Sequence, residues 1–180
     1  GQLENAARAY EDTAREAARD KDSSATNSYF NAALLYEALG NKNKAIANYQ
    51  SYFDSTKKSE RIDSIFTMAT LHRKSNALTL SNNLYEDFIA RGGSGNQEKI
   101  VEASFWIHDT ARRLRQGDKS LEWKNRTIAL QRKYAPNKAG PGARWVAKIK
   151  LKDAEEVYGE FSRIRIPKNP AAQQAAVQNK

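Results

Sequence analysis

Residue types that carry out catalysis are scarce in this chain. Its 180 residues include no cysteine and only two histidines, His72 and His108, which excludes thiolate nucleophiles and thiolate metal sites. A zinc site needs three or four converging donors, and neither histidine has such a set at ligand spacing. No serine or threonine is paired in the sequence with a base and an orienting acid. We therefore predict a non-enzymatic protein with no catalytic residue, no metal and no cofactor.

Positive charge is concentrated in the last third of the chain. Residues 1–110 hold 13 basic and 15 acidic residues, whereas residues 111–168 hold 16 basic and 6 acidic ones. A run of cations extends from Arg112 to Lys133, and the only acids within it are Asp118 and Glu122. A solvated helix face would explain such a run, but the shortage of acids favours a surface for an acidic partner. The residues predicted to form this basic patch are Arg112, Arg113, Arg115, Lys124 and Arg126.

A pattern that returns after 36 residues indicates how these side chains are positioned. The first copy of the pattern consists of Tyr29, Ala33, Tyr36, Gly40, Ala45 and Tyr49. The second copy, 36 residues later, consists of Ile65, Ala69, His72, Asn76, Ser81 and Tyr85. Each position keeps its character, which is typical of stacked helix pairs. A ring at His72 accordingly predicts a packing role for that residue. Helices are expected over 3–19, 25–39, 42–56, 60–74, 77–90, 97–116, 119–134 and 143–163.

The spacing Tyr29-x3-Ala33-x2-Tyr36-x3-Gly40-x4-Ala45-x3-Tyr49 resembles the tetratricopeptide repeat. Residues 60–90 match less closely, and residues 97–136 are degenerate apart from Pro136 at their end. The resemblance implies an all-α, right-handed superhelical solenoid of about eight antiparallel helices. It also implies an adaptor that binds peptides or proteins.

The predicted organisation has three parts. Residues 1–136 form repeats, the first of them lacking its first helix; residues 137–166 form an irregular long helix that continues the array; and residues 167–180 form a tail or the start of a next element. The segment from Ala143 to Phe161 is similar to helices that join repeats in large bacterial tetratricopeptide proteins. We expect a fragment of such a protein, without a membrane span, in the periplasm rather than the cytoplasm.

Two further sets of residues are candidates for partner binding. The resemblance implies that the first helix of each pair lines the inner groove, where Phe30, Leu34, Phe66 and Thr70 would form an apolar patch. Trp123 lies beside Leu121 and is either core filling or an aromatic anchor in a groove. Nucleic-acid binding by residues 111–168 is the alternative function. A structural spacer that stacks on missing repeats or on another copy is a third interpretation, supported if Ala6, Tyr10, Val157 and Phe161 are exposed.

Overall fold

The structure, a computed structural model, describes residues 1–136 and 140–163. Within these residues it contains helices and turns and no strand. The α-helices are α1 (Gln2–Arg19), α2 (Ser24–Ala38), α3 (Lys42–Ser55), α4 (Ile62–Lys74), α5 (Leu78–Ala90), α6 (Gln97–Arg113), α7 (Gly117–Tyr134) and α8 (Ala143–Ser162). Short 3₁₀ turns at Ser59–Arg61 and Gly93–Gly95 join the pairs.

The helices stack in sequence order as antiparallel pairs. α2 pairs with α3, α4 with α5 and α6 with α7, and each pair packs on the one before it. The repeated positions account for this close packing. Ala33 and Ala69 are fully buried, and so are Ala45 and Ser81, which lets the two helices of each pair approach closely. Tyr85 fills the space beside them with no exposed surface.

The turn inside each pair uses one residue with left-handed backbone geometry. Gly40 (φ 74°), Asn76 (φ 60°) and Arg115 (φ 58°) occupy equivalent places, and the next amide in each case donates to a carbonyl five residues back. This is the Schellman arrangement that ends a helix. The helix start predicted at residue 119 is therefore two residues late, because Arg115 makes the turn and Gly117 is the first residue of α7.

The two ends of the array differ in what they leave uncovered. α1 packs against α2 like the second helix of a pair, burying Ala7 and Ala14 while Leu3 and Tyr10 stay exposed. α8 packs on α6 and α7 through its first half, and its second half leaves Val157, Tyr158 and Phe161 exposed. The exposure predicted for Tyr10, Val157 and Phe161 is present, whereas Ala6 is half-buried.

The predicted all-α, right-handed superhelical solenoid of helix pairs is confirmed. Most helix bounds agree to within two residues; the exception is the end of α6, which stops at Arg113 instead of residue 116. The boundaries drawn at 136, 166 and 180 remain predictions, and the tail predicted for 167–180 lies outside the described residues. Within the described residues, no helix is long and apolar enough to cross a membrane.

Candidate partner-binding surfaces

The first helices of the pairs present mostly apolar side chains on a common surface. We call it the first-helix face, and it consists of Phe30, Leu34, Phe66, Thr70, Arg73 and Trp106. Phe30 keeps 37% of its surface exposed and Leu34 keeps 44%. The Phe30 ring is held by rings of α3, with its centroid 5.0 Å from that of Tyr52 and 6.2 Å from that of Tyr49. An exposed but fixed ring loses little conformational freedom when a partner contacts it.

The next pair repeats the arrangement with a more polar residue. Phe66 is half-buried and packs on Tyr85 and Phe88, at centroid distances of 5.4 and 5.2 Å. The Thr70 hydroxyl lies 3.0 Å from the carbonyl oxygen of Phe66 and 2.9 Å from the Tyr85 hydroxyl. The structure therefore brings Phe30, Leu34, Phe66 and Thr70 to equivalent places on successive first helices, with Thr70 already engaged by internal hydrogen bonds.

An aromatic cluster covers the corresponding position of the third pair. Phe105 corresponds to Phe30 and Phe66 but is only 8% exposed, because Trp145 of α8 lies on it at a centroid distance of 5.0 Å. Trp106 meets Trp145 at 5.4 Å, and the Arg73 guanidinium stacks 3.6 Å above the Trp106 ring. The first-helix face is thus closed by α8 at its third pair and stays open over α2 and α4.

Glu98 of α6 fastens the start of α8. One of its carboxylate oxygens accepts from Trp145 Nε1 at 3.1 Å and from Arg144 Nε at 2.9 Å, and the other accepts from the Gly142 amide. Gly142 has φ 82°, and a β-carbon there would collide with Val101. Sequence reasoning missed Glu98, because nothing local marks a partner more than 40 residues away.

The predicted basic patch is divided between separate environments. Arg113 is exposed and donates to Asn76 Oδ1 at 3.2 Å, while Arg126 stacks on the Trp123 ring with its guanidinium carbon 4.4 Å from the ring centre. Arg112, Arg115 and Lys124 instead line one cleft of about 360 Å³ between α6, α7 and α8. We call it the α8 cleft; Lys152, which was not among the predicted residues, also lines it.

Carboxylates of α8 already contact the cations of this cleft. Asp153 Oδ2 lies 2.6 Å from Lys124 Nζ, and Glu156 Oε1 lies 3.0 Å from Arg112 Nη1. Asp109 on α6 lies 3.8 Å from both Arg112 and Lys152. The expectation that only Asp118 and Glu122 balance the patch is wrong, because α8 folds back over it with its own acids. Asp153 and Glu156 share one face of α8, but nothing local shows that this face meets Arg112 and Lys124.

The expectation that Trp123 anchors a partner in a groove is also wrong. Its side chain is only 5% exposed and belongs to the main core, with Thr127 buried beside it on α7. Leu121 is the exposed residue of that turn, at 56%. The simpler interpretation of Trp123, core filling, is the one that the packing supports.

Both histidines are packed among other side chains of the helix pairs. Burial lowers the pKa of His108, whose Nδ1 lies 2.9 Å from the Ser120 carbonyl oxygen and 3.1 Å from its hydroxyl. His108 occupies the place that Ala33 and Ala69 take in the earlier pairs. His72 is half-buried, and burial lowers its pKa as well. Across residues 1–136 and 140–163, no three histidine or acidic side chains converge on a point where a metal ion could bind.

Comparison with known proteins shows the fold. No protein-family model and no curated protein sequence matches the chain. Among solved structures, a putative kinesin light chain with nearly identical TPR-like repeats from Podospora anserina is similar, with a TM-score of 0.62 and 16% identity over 100% of this chain and 90% of that one. BtubC (BKLC) from P. vanneervenii gives a TM-score of 0.55 and 15% identity over 80% of this chain. This chain spans 61% of the BtubC chain, less than two thirds of its length. The similarity shows that the protein has a TPR-like helical-repeat fold.

Proposed function

We propose that this protein is a non-catalytic adaptor that binds a peptide or protein segment on its first-helix face. The observation that carries the proposal is the pair of exposed apolar side chains, Phe30 and Leu34, on a rigid helical array. Phe66 and Thr70 continue the surface on α4, and Arg73 on Trp106 marks its far end. Partner segments commonly dock apolar side chains on such surfaces while polar groups set their orientation.

The basic residues at the C-terminal end supply the second part of the proposal. These cations would attract an acidic partner and raise its association rate more than its equilibrium affinity. They are Arg112, Arg113, Arg115, Lys124 and Arg126. Reversing all five charges is expected to slow association and flatten its dependence on salt. Unchanged association rates and salt dependence would contradict this role of the patch.

A peptide-display selection on the wild-type protein tests the apolar part. The selected peptides are expected to lose at least tenfold in affinity for Leu34→Glu, because a carboxylate would replace an apolar contact. Leu80→Glu is the matched control, since Leu80 is 54% exposed but lies on α5, a second helix. Equal binding of the peptides to both variants, or a selection that enriches none, would contradict the proposal.

Nucleic-acid binding is less well supported as a function for this surface. Carboxylates of α8 lie against Arg112 and Lys124, which interrupts the extended row of cations that a phosphate backbone requires, whereas a short acidic segment needs only the cations of one cleft. We expect elution from heparin at modest salt and weak binding of generic RNA at physiological salt. Tight RNA binding with a steep salt dependence would favour this alternative over the adaptor.

A further inference from the structure

The α8 cleft has a shape and charge that suit carboxylate side chains. Its cationic lining comes from three helices and one turn: Arg112 from α6, Arg115 from the turn that follows, Lys124 from α7 and Lys152 from α8. The cleft has a volume of about 360 Å³ and is open to solvent, so extended side chains can enter it. Two carboxylates, Asp153 and Glu156, also line it, so that cations outnumber acids in the lining.

Those two carboxylates show which ligand chemistry the cleft accepts. Asp153 binds Lys124 at 2.6 Å and Glu156 binds Arg112 at 3.0 Å, each a charge-assisted contact between α8 and another helix. Arg115 makes no ion pair among the described residues, and Lys152 has only a 3.8 Å contact with Asp109. Cations therefore remain in the cleft that α8 does not neutralise.

We propose that the α8 cleft binds acidic side chains of a protein partner, and that Asp153 and Glu156 of α8 compete with them for Arg112 and Lys124. This inference rests on the proposed function, because it identifies where the acidic part of the adaptor's partner binds. An incoming acidic segment exchanges one set of carboxylates for another on the same cations. The binding strength of the partner consequently depends on how firmly α8 is held in place.

Removing the internal carboxylates tests the proposal with a labelled hexaglutamate peptide in fluorescence anisotropy at low salt. The double variant D153N/E156Q is expected to bind the peptide about three- to tenfold more tightly, since partly exposed ion pairs of this kind are individually weak. The control E155Q/E160Q removes the same charge from the same helix, and neither of its residues pairs with a cation among the described residues. A change below about twofold is expected for the control.

Further variants allow the peptide-binding result to be interpreted even if α8 undocks from the array. Arg112, Arg115 and Lys124 lie outside α8, so tighter binding by D153N/E156Q is expected whether or not α8 remains docked. Adding R112Q and K124Q to that variant is expected to reverse the gain. Circular dichroism and tryptophan fluorescence verify that the helices persist in each variant.

Several results would overturn the inference. Equal tightening by both acid-removing pairs would mean that only overall charge matters, and no hexaglutamate binding by D153N/E156Q would mean that the cleft binds no carboxylate. Stronger binding of a single-stranded RNA of equal length would assign the cations to nucleic acid. If any of these results is found while the selected peptides still lose affinity for Leu34→Glu, the adaptor function stands. Only the proposal that the α8 cleft binds acidic side chains is then rejected.

Discussion

Replacing Trp145 with alanine is predicted to release α8 from the array while leaving the other helices folded. Trp145 is 5% exposed and packs on Phe105 and Trp106, and Lys148 lies 4.3 Å above its ring. Truncating a buried tryptophan typically costs about 3–5 kcal/mol. The hydrogen bond from its Nε1 to Glu98 is lost as well.

The contacts that remain are too weak to hold α8 equally well. Ile149 and Val146 stay as buried apolar contacts, and the two ion pairs to Lys124 and Arg112 contribute about 0–1 kcal/mol each. Because repeat arrays are stabilised by each unit and its nearest neighbours, the loss is confined to the end of the array. A factor of ten in an equilibrium corresponds to about 1.4 kcal/mol. Amide protection in α8 should therefore fall by about two to three and a half orders of magnitude, or to that of an undocked helix.

Hydrogen exchange followed by mass spectrometry measures this directly, peptide by peptide. Tyr158→Ala is the matched control, because Tyr158 is an aromatic residue on the same helix but is 71% exposed. It should alter α8 protection by less than about threefold. Wild-type protection of α8 in the Trp145 variant would refute the reasoning, and so would an equal loss of protection in α2 to α5.

Three other perturbations test the turns, the core and the histidines. Arg115→Gly should stabilise the protein by about 0.5–1 kcal/mol in urea unfolding, because glycine adopts the left-handed geometry without strain; Gln116→Gly, at φ −89°, should not. Ser81→Ala should cost about 1 kcal/mol, since the buried hydroxyl donates to the Ala69 carbonyl at 2.9 Å; full stability would show that this bond is dispensable. Burial lowers the folded-state pKa of His72 and His108, so stability should decline as pH falls below the unfolded pKa of about 6.5. Replacing both histidines by asparagine should flatten that decline in thermal melts. An unaltered pH profile would contradict this effect of burial.

Repeated local features explain why the fold could be predicted from the sequence. Small residues at Ala33, Ala69, Ala45 and Ser81 recur at the same interval, and only close helix pairs require them at all four places. Gly40 supplies a helix-ending turn by its chemistry alone. The repeat formed by α2 and α3 and the repeat formed by α4 and α5 carry the same pattern of residues. An ambiguous position in one repeat can therefore be interpreted from the equivalent position in the other.

The third pair could not be predicted equally well, because its buried stripe is largely polar. The buried residues of α7 are Ser120, Trp123, Thr127 and Gln131, whereas Leu121 on the same helix is 56% exposed. Counting apolar residues therefore could not decide between core filling and a groove position for Trp123. The turn gives the correct register: Ser120 follows Arg115 by the same five residues that separate Ala45 from Gly40.

The acidic lining of the α8 cleft depends on a docking that no local pattern encodes. Asp153 and Glu156 meet Lys124 and Arg112 because α8 is docked near its start, where Trp145 packs on Phe105 and Glu98 holds the first turn. One helix thus covers Phe105, the counterpart of Phe30 and Phe66 in the third pair, and occupies cations of the cleft. Undocking of α8 would therefore expose Phe105 and release Arg112 and Lys124 together. A segment that binds Phe105 in place of Trp145 would also free Arg112 and Lys124 for acidic side chains.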